Sequence, residues 1–398
     1  MKYDFDGVIN RKGTDSMKWD TVNSLFGAED ILPMWVADMD FPSAQPITDA
    51  LLKRAEHQVY GYTVAGKSTI DAVIERIQRK YNWAIDPEWI VFTPGVIPAI
   101  HTAIRAFSLP GDEIIIQDPV YYPFWSALKD SGRQVANNQL KLSYGHYEVD
   151  FDDLSSKFAL KDGMTPTASR ASMMVLCSPH NPVGRVWTRE ELVRMGEIVI
   201  GHGGLMVSDE IHCELLFKGV KHTPFASLST DFEQHSIVCM APSKTFNLAG
   251  LNTSVIIIPN EELRLKFNAV RHGIVTRVNL FGLTALEAAY RYGDEWLEQL
   301  LKYLQGNLEY LLDYFEKKIS RIKVIKPEGT YLVWLDCRQL GLDNEGLRKL
   351  MRVKARVGLD DGYLFGPAGA GFQRINIACP RSILADALQR IDNAVNGL

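Results

Sequence analysis

The segment SMMVLCSPHNPVG, residues 172–184, opens with a continuous apolar run and closes on a polar turn. An apolar run of that length, bounded by Pro and Gly, fits a strand buried on both faces, as in a parallel sheet covered by helices. The pattern repeats downstream in LMVSDEIH, residues 205–212, and in SIVCMAPSK, residues 236–244. Open sheets of this kind bind their ligands just beyond the carboxyl ends of the strands. Asn181, Asp209 and Lys244 therefore leave three successive strands at the functional edge, 28 and 35 residues apart.

Working outward, further strands are predicted at residues 89–93, 113–117 and 253–259, with helical periodicity between them. Ile70, Val73, Ile74, Ile77 and Tyr81 recur at helical steps, with Ser68 as the expected N-cap. From 283 to about 319 the chain reads as helix, with Leu297, Leu300, Leu301, Leu304, Leu308, Leu311 and Leu312 in one stripe. Shorter strands at 323–326, 331–335 and 372–377 read as a smaller α/β unit. The prediction is an α/β chain whose large domain, 46–285, has a mainly parallel central sheet. A smaller domain spans 286–398, and an N-terminal segment, 1–45, packs on it.

Composition excludes several functions. The 398 residues carry a formal charge of −5, with both signs interspersed, which argues against nucleic acid as a partner. With 46% hydrophobic and 23% charged residues, the chain reads as globular and not disordered. Charges at Lys2, Asp4, Asp6, Arg11 and Lys12 break any secretory signal, and no apolar run approaches the roughly 20 residues of a membrane span. Five scattered cysteines fit inert thiols in a reducing cytoplasm.

Several chemistries lack their spacing. No P-loop, HExxH or GxSxG motif is present. GHGGL (201–205) and GPAGAG (366–371) read as turns, not as a dinucleotide fingerprint, which disfavours a nicotinamide dehydrogenase. His212, Cys213 and Glu214 have the composition of metal ligands, but neighbours on a strand face opposite ways, and no metal is expected.

Taken singly, Lys244 reads as a surface lysine, Asp209 as a cap and NPVG as a β-turn. The order NPxG, DExxx, SK changes that weighting. It resembles the fold type I pyridoxal phosphate enzymes of the class I and II aminotransferase superfamily, a likeness that also takes in TPGV (93–96), DPVYYPF (118–124) and GFQRIN (371–376). Within it the chain is similar to the MalY and PatB type carbon–sulfur lyases, the cystathionine β-lyases. The segments carrying that likeness are LPMWVADMDFP (32–42), VYGYT (59–63), CSPHNPVGRVWT (177–188), SDEIHCEL (208–215), SKTFNLAGL (243–251) and NIACPRS (376–382).

The resemblance implies roles. Lys244 would hold pyridoxal 5'-phosphate as a Schiff base and, once released by substrate, take the Cα proton, which calls for a desolvated amine of lowered pKa. Asp209 would pair with the pyridine nitrogen, Asn181 would donate to the 3-oxygen, and Tyr121 would stack on the ring. The N–H groups of Gly95 and Val96 at a helix start, with Ser243, would bind the phosphate. Tyr62 would reach it from the other subunit of a homodimer. Arg374 would hold the substrate carboxylate, beside Tyr121 and Asn181. For Tyr62 and Tyr121 the competing reading is a packed tyrosine, and for Arg374 a surface ion pair.

The sequence departs from the aminotransferase pattern at three positions: Asn252 stands where a phosphate-binding Arg is usual, Ala241 where a Ser or Thr is usual, and His212 where a Tyr is usual. His212 would thus join the cofactor-binding set by altering the hydrogen bond to the 3-oxygen, with a structural histidine as the competing reading. The expected reaction is β-elimination of a thiol from L-cystathionine or a related L-cysteine S-conjugate, giving pyruvate and ammonia. Aminotransfer is the near alternative. A non-catalytic regulator that keeps the fold is the alternative from another class, and the intact Lys, Asp and Asn set argues against it.

Overall fold

The computed structural model describes residues 1–158 and 171–398. Its largest sheet among the described residues has seven strands: β1 (Ile90–Thr93), β2 (Glu113–Ile116), β3 (Gln134–Asn137), β4 (Met173–Cys177), β5 (Leu205–Asp209), β6 (Ser236–Met240) and β7 (Ser254–Ile257). Their spatial order is β1-β7-β6-β5-β4-β2-β3. β2 through β6 run parallel, while β7 is antiparallel to both β6 and β1. Every residue of β4, β5, β6 and β7 is buried, because helices cover both faces and leave no polar side to the strands. The three opening segments of the sequence thus lie side by side at the centre of the sheet. The edge strand β3 reads QVAN, too polar to show as a strand in the sequence.

The helices used below are α1 (Gln45–Glu56), α2 (Lys67–Tyr81), α3 (Val96–Phe107), α4 (Arg189–Gly201), α5 (Leu280–Tyr292), α6 (Asp294–Lys318) and α7 (Arg381–Asn396). α4 begins with a complete capping box, Thr188 with Glu191, which fixes where the turn after β4 ends. α2 starts one residue before the expected cap. Gly66 holds the N-cap position and Ser68 instead donates to Glu287 on α5, a tertiary bond replacing a local one. The helix expected from 283 to 319 is two helices broken at Gly293, where a Cβ would lie 2.4 Å from the Phe246 ring and 2.6 Å from the Ala289 carbonyl oxygen. Along α6, Leu297, Leu300, Leu304, Leu308 and Leu311 are buried, and Leu301 and Leu312 flank the same core half-buried.

A second sheet holds β8 (Lys323–Ile325), β9 (Leu332–Asp336), β10 (Asp360–Asp361) and β11 (Phe372–Asn376) in the order β8-β9-β11-β10, antiparallel throughout. Leu32–Pro33 pairs in parallel with Val357–Gly358, tying the start of the chain to this part of the molecule. Arg11 and Lys18 both bond Asp40, and Arg11 also grips Asp38, so the first forty residues are pinned by one buried and two half-buried charge pairs. Among the described residues no helix is long and apolar enough to cross a membrane. All five cysteines are buried and unpaired.

Candidate active site

The sheet order sets the site. In register, Asp209 at the end of β5 lies between Cys177 of β4 and Cys239 of β6. The turn after β4 carries Asn181, and the four-residue helix Pro242–Thr245 after β6 carries Lys244, to the same edge. β1 ends at a bend on Pro94, followed by the extended Gly95 that caps α3, whose start lines the site cavity. One cavity of about 250 Å³ is lined by Gly95, Val96, Tyr121, Asn181, Asp209, His212, Ser243 and Lys244. Eight of the residues singled out from the sequence therefore share one space.

The electrostatics of the cavity follow from burial. Asp209 is buried and accepts from the Ile211 N–H at 3.1 Å. Burial raises its pKa to about 7, against the pull of that N–H and of Lys244. Lys244 is lowered to about 8, by burial first and by the Arg374 charge, with Asp38 and Asp209 acting the other way. Its Nζ donates to the Ala37 carbonyl at 2.7 Å. His212 is held well below the ordinary histidine value by burial and by the charges of Lys244 and Arg374, so its ring is neutral. Its Nδ1 has no hydrogen-bond partner among the described residues.

Two expectations are corrected here. Arg374 is not a surface ion pair: it is 2% exposed on β11, opposite Asp360, to which Nη2 donates. Its Nη1 donates to Asn181 Oδ1 at 2.8 Å and its Nη2 also to the Trp35 carbonyl, while Nε has no partner among the described residues. His212, Cys213 and Glu214 lie in the turn after β5 and not on a strand. Glu214 is used by Arg76, and Cys213 packs in the core.

Tyr62 stands apart. It is fully exposed and lines a different groove with Tyr60, Arg277 and Phe281, away from the other site residues of its own chain. Asn252 and Ala241 behave as their side chains dictate: Asn252 is exposed at the cavity rim with a positive φ of 47°, and Ala241 is core.

Sequence reading missed Ala37, Thr253 and Ser254 in the cavity wall, Asp360 behind Arg374, and Tyr331. The segment LPMWVADMDFP held the signal for the first of these. Four consecutive carbonyls in it are taken by site groups: Trp35 by Arg374, Val36 and Asp38 by Asn376, and Ala37 by Lys244 and Tyr331.

The cavity fits the phosphorylated pyridine aldehyde that the resemblance implies. Its lining combines the Lys244 amine, the buried Asp209 carboxylate and the Tyr121 ring. The same cavity is lined by the start of α3, where the N–H groups of Val96 and Ile97 have no intrahelical acceptor and Pro98 carries no N–H.

A model of the class I and II aminotransferase family matches residues 20–391. Cystathionine beta-lyase PatB of Bacillus subtilis (strain 168) is 44% identical over 394 residues, 98% of this chain and 100% of the relative. The crystal structure of cystalysin from Treponema denticola, which contains pyridoxal 5'-phosphate, superposes with a TM-score of 0.95 at 36% identity, covering 100% of both chains. That of the pyridoxal phosphate-bound C–S lyase from Staphylococcus hominis does so at 0.91 and 32% identity, covering 99% of this chain and 98% of the other.

Proposed function

The chain belongs to the class I and II aminotransferase family, and from that membership we propose that it works as a carbon–sulfur β-lyase of the cystathionine β-lyase type. Its cofactor is pyridoxal 5'-phosphate. The observation that carries the site assignment is that Lys244, Asp209, Asn181, Tyr121 and the start of α3 line one cavity. The preference for lyase chemistry is supported by likeness over the full chain to proteins named for it.

Bound pyridoxal phosphate supplies an electron sink next to the substrate Cα, which makes loss of the Cα proton and of a β-leaving group accessible. Asp209 is the group to hold a proton at the pyridine nitrogen; as an anion beside that cation it ceases to carry an isolated buried charge. The Asn181 amide, with its oxygen engaged by Arg374, has its N–H donors left for the 3-oxygen. The N–H groups of Gly95 and Val96, with the Ser243 hydroxyl, take the phosphate without the usual Arg. Arg374 binds the substrate carboxylate through donors that its three protein partners leave open.

Lys244 removes the Cα proton, the Cβ–S electrons leave with sulfur, and the resulting ammonium of Lys244 is placed to return a proton to the thiolate. The three-carbon enamine product adds water to give pyruvate and ammonia. We place the phosphate contact of Tyr62 across a homodimer interface, since it is fully exposed and does not line the Lys244 cavity of its own chain. The division into domains 46–285 and 286–398, an L-cysteine S-conjugate as substrate and a cytoplasmic setting belong to the same proposal.

The test is pyruvate release from L-cystathionine with no keto acid present. Many turnovers per chain are expected. A strict requirement for added keto acid identifies an aminotransferase and overturns the proposal.

A further inference from the structure

We propose that Tyr331 is a positioning residue that holds the free amine of Lys244 in place through the Ala37 carbonyl. Tyr331 is 1% exposed, and its hydroxyl donates to the Ala37 oxygen at 3.0 Å, the same oxygen that accepts Lys244 Nζ at 2.7 Å. A carbonyl has two lone pairs, so both are in use. The tyrosine ring also meets His212 edge-on, with centroids 6.1 Å apart. Tyr331 therefore touches two groups that frame the cavity, from behind its wall.

The backbone is built to aim it. Thr330, immediately before, has φ of 70°, a conformation that is costly for a β-branched residue and persists where surrounding bonds enforce it. Three bonds do so: the Thr330 N–H donates to the Leu215 carbonyl at 2.7 Å, and its hydroxyl both accepts from the Leu332 N–H and donates to the Leu332 carbonyl. Just upstream, Glu328 and Gly329 donate to the carbonyl of Gly184, in the turn that carries Asn181. The same turn thus sets both Asn181 and the approach of Tyr331.

The role follows from when Lys244 is free. Its amine leaves the cofactor once substrate takes its place, and it must then carry the Cα proton without swinging away. The charged and titratable groups around it are Asp38, Arg374, Asp209 and His212, with Tyr121 across the cavity. Each hydrogen bond donated to an oxygen withdraws charge from it, so the Tyr331 hydroxyl makes Ala37 a poorer acceptor for an ammonium. Tyr331 thereby fixes the orientation of the carbonyl that positions the amine and, by lessening that carbonyl's pull on an ammonium, favours the neutral, proton-accepting form. The inference rests on the proposed role of Lys244.

The test compares wild type with Tyr331→Phe as full-length chains. The first readout is the rate at which cofactor-free protein captures pyridoxal phosphate, followed by visible absorbance from pH 6 to 10. Loss of the hydroxyl is expected to move the midpoint to higher pH and to slow capture at pH 7 about threefold to tenfold, the effect of roughly one hydrogen bond. The second readout is turnover of L-cystathionine by the holoenzyme, where kcat falls and KM stays within about twofold. A variant that melts with the wild type and shows an unchanged capture profile and kcat overturns the inference. A variant that unfolds is replaced by Thr330→Gly, which keeps the hydroxyl and relaxes its aim; an unchanged capture rate there also overturns it. Failure of the wild type to capture cofactor contradicts the assignment of Lys244 instead.

Discussion

Lys244, Asp209 and Arg374 show how a residue acquires chemistry from its place. Nothing in the letters SK, DE or QR says that these side chains leave water; the strands that deliver them do. With the amine lowered to about 8, capture of pyridoxal phosphate by the cofactor-free chain should rise with pH and reach half-maximum near that value, as stopped-flow absorbance would report. Lys244→Ala should capture none and release no pyruvate while melting like the wild type.

Asp209 gives a stability prediction with a definite sign. Its pKa is raised on folding to about 7 from an ordinary carboxylate value. A group so raised favours the folded state at low pH, and that contribution is lost as pH climbs through 7. The cofactor-free Asp209→Asn chain should therefore be more stable than wild type at pH 8 and gain little at pH 4, by urea denaturation. Its holoenzyme should lose roughly a hundredfold or more in kcat, as for a lost electrostatic stabiliser.

At the scale of elements, the turn 178–184 does the most work per residue. It carries Asn181, receives the Glu328 and Gly329 N–H groups, and closes at Gly184, whose φ is 76° and whose Cβ position is 2.4 Å from Pro327 Cβ. Gly184→Ala combines a disfavoured backbone with a steric conflict and should cost about 2 kcal/mol or more. A lower urea midpoint with weaker cofactor binding is expected; a variant indistinguishable from wild type would show that the turn is not braced in this way.

The central strands were legible because burial on both faces writes itself as an unbroken apolar run. β3, β10 and the Leu32–Pro33 strand were not, being short or polar and specified by the neighbour they pair with. The site shows the same division. Side chains that leave strand ends could be placed from order alone. Ala37 acts through its carbonyl, and Asp360 and Tyr331 act through a partner, so none has a side-chain signature in the sequence.

For the whole molecule, the exposed run Val59, Tyr60, Tyr62 and Val64 beside Phe281 is the surface on which the proposed homodimer depends. Sedimentation should give a dimer at micromolar concentration. Tyr62→Phe should weaken pyridoxal phosphate binding by roughly tenfold, the scale of one hydrogen bond to a charged group, and leave the dimer intact. A monomer with full activity would contradict that arrangement, though not the chemistry of the cavity.

On this proposal the cofactor is anchored in this cavity, on Lys244. Borohydride reduction of the purified holoenzyme, followed by proteolysis and mass spectrometry, tests it directly. One pyridoxyl group per chain, on the peptide holding Lys244, is the result predicted. A label on any other lysine, or full catalytic activity without a label, would contradict the account.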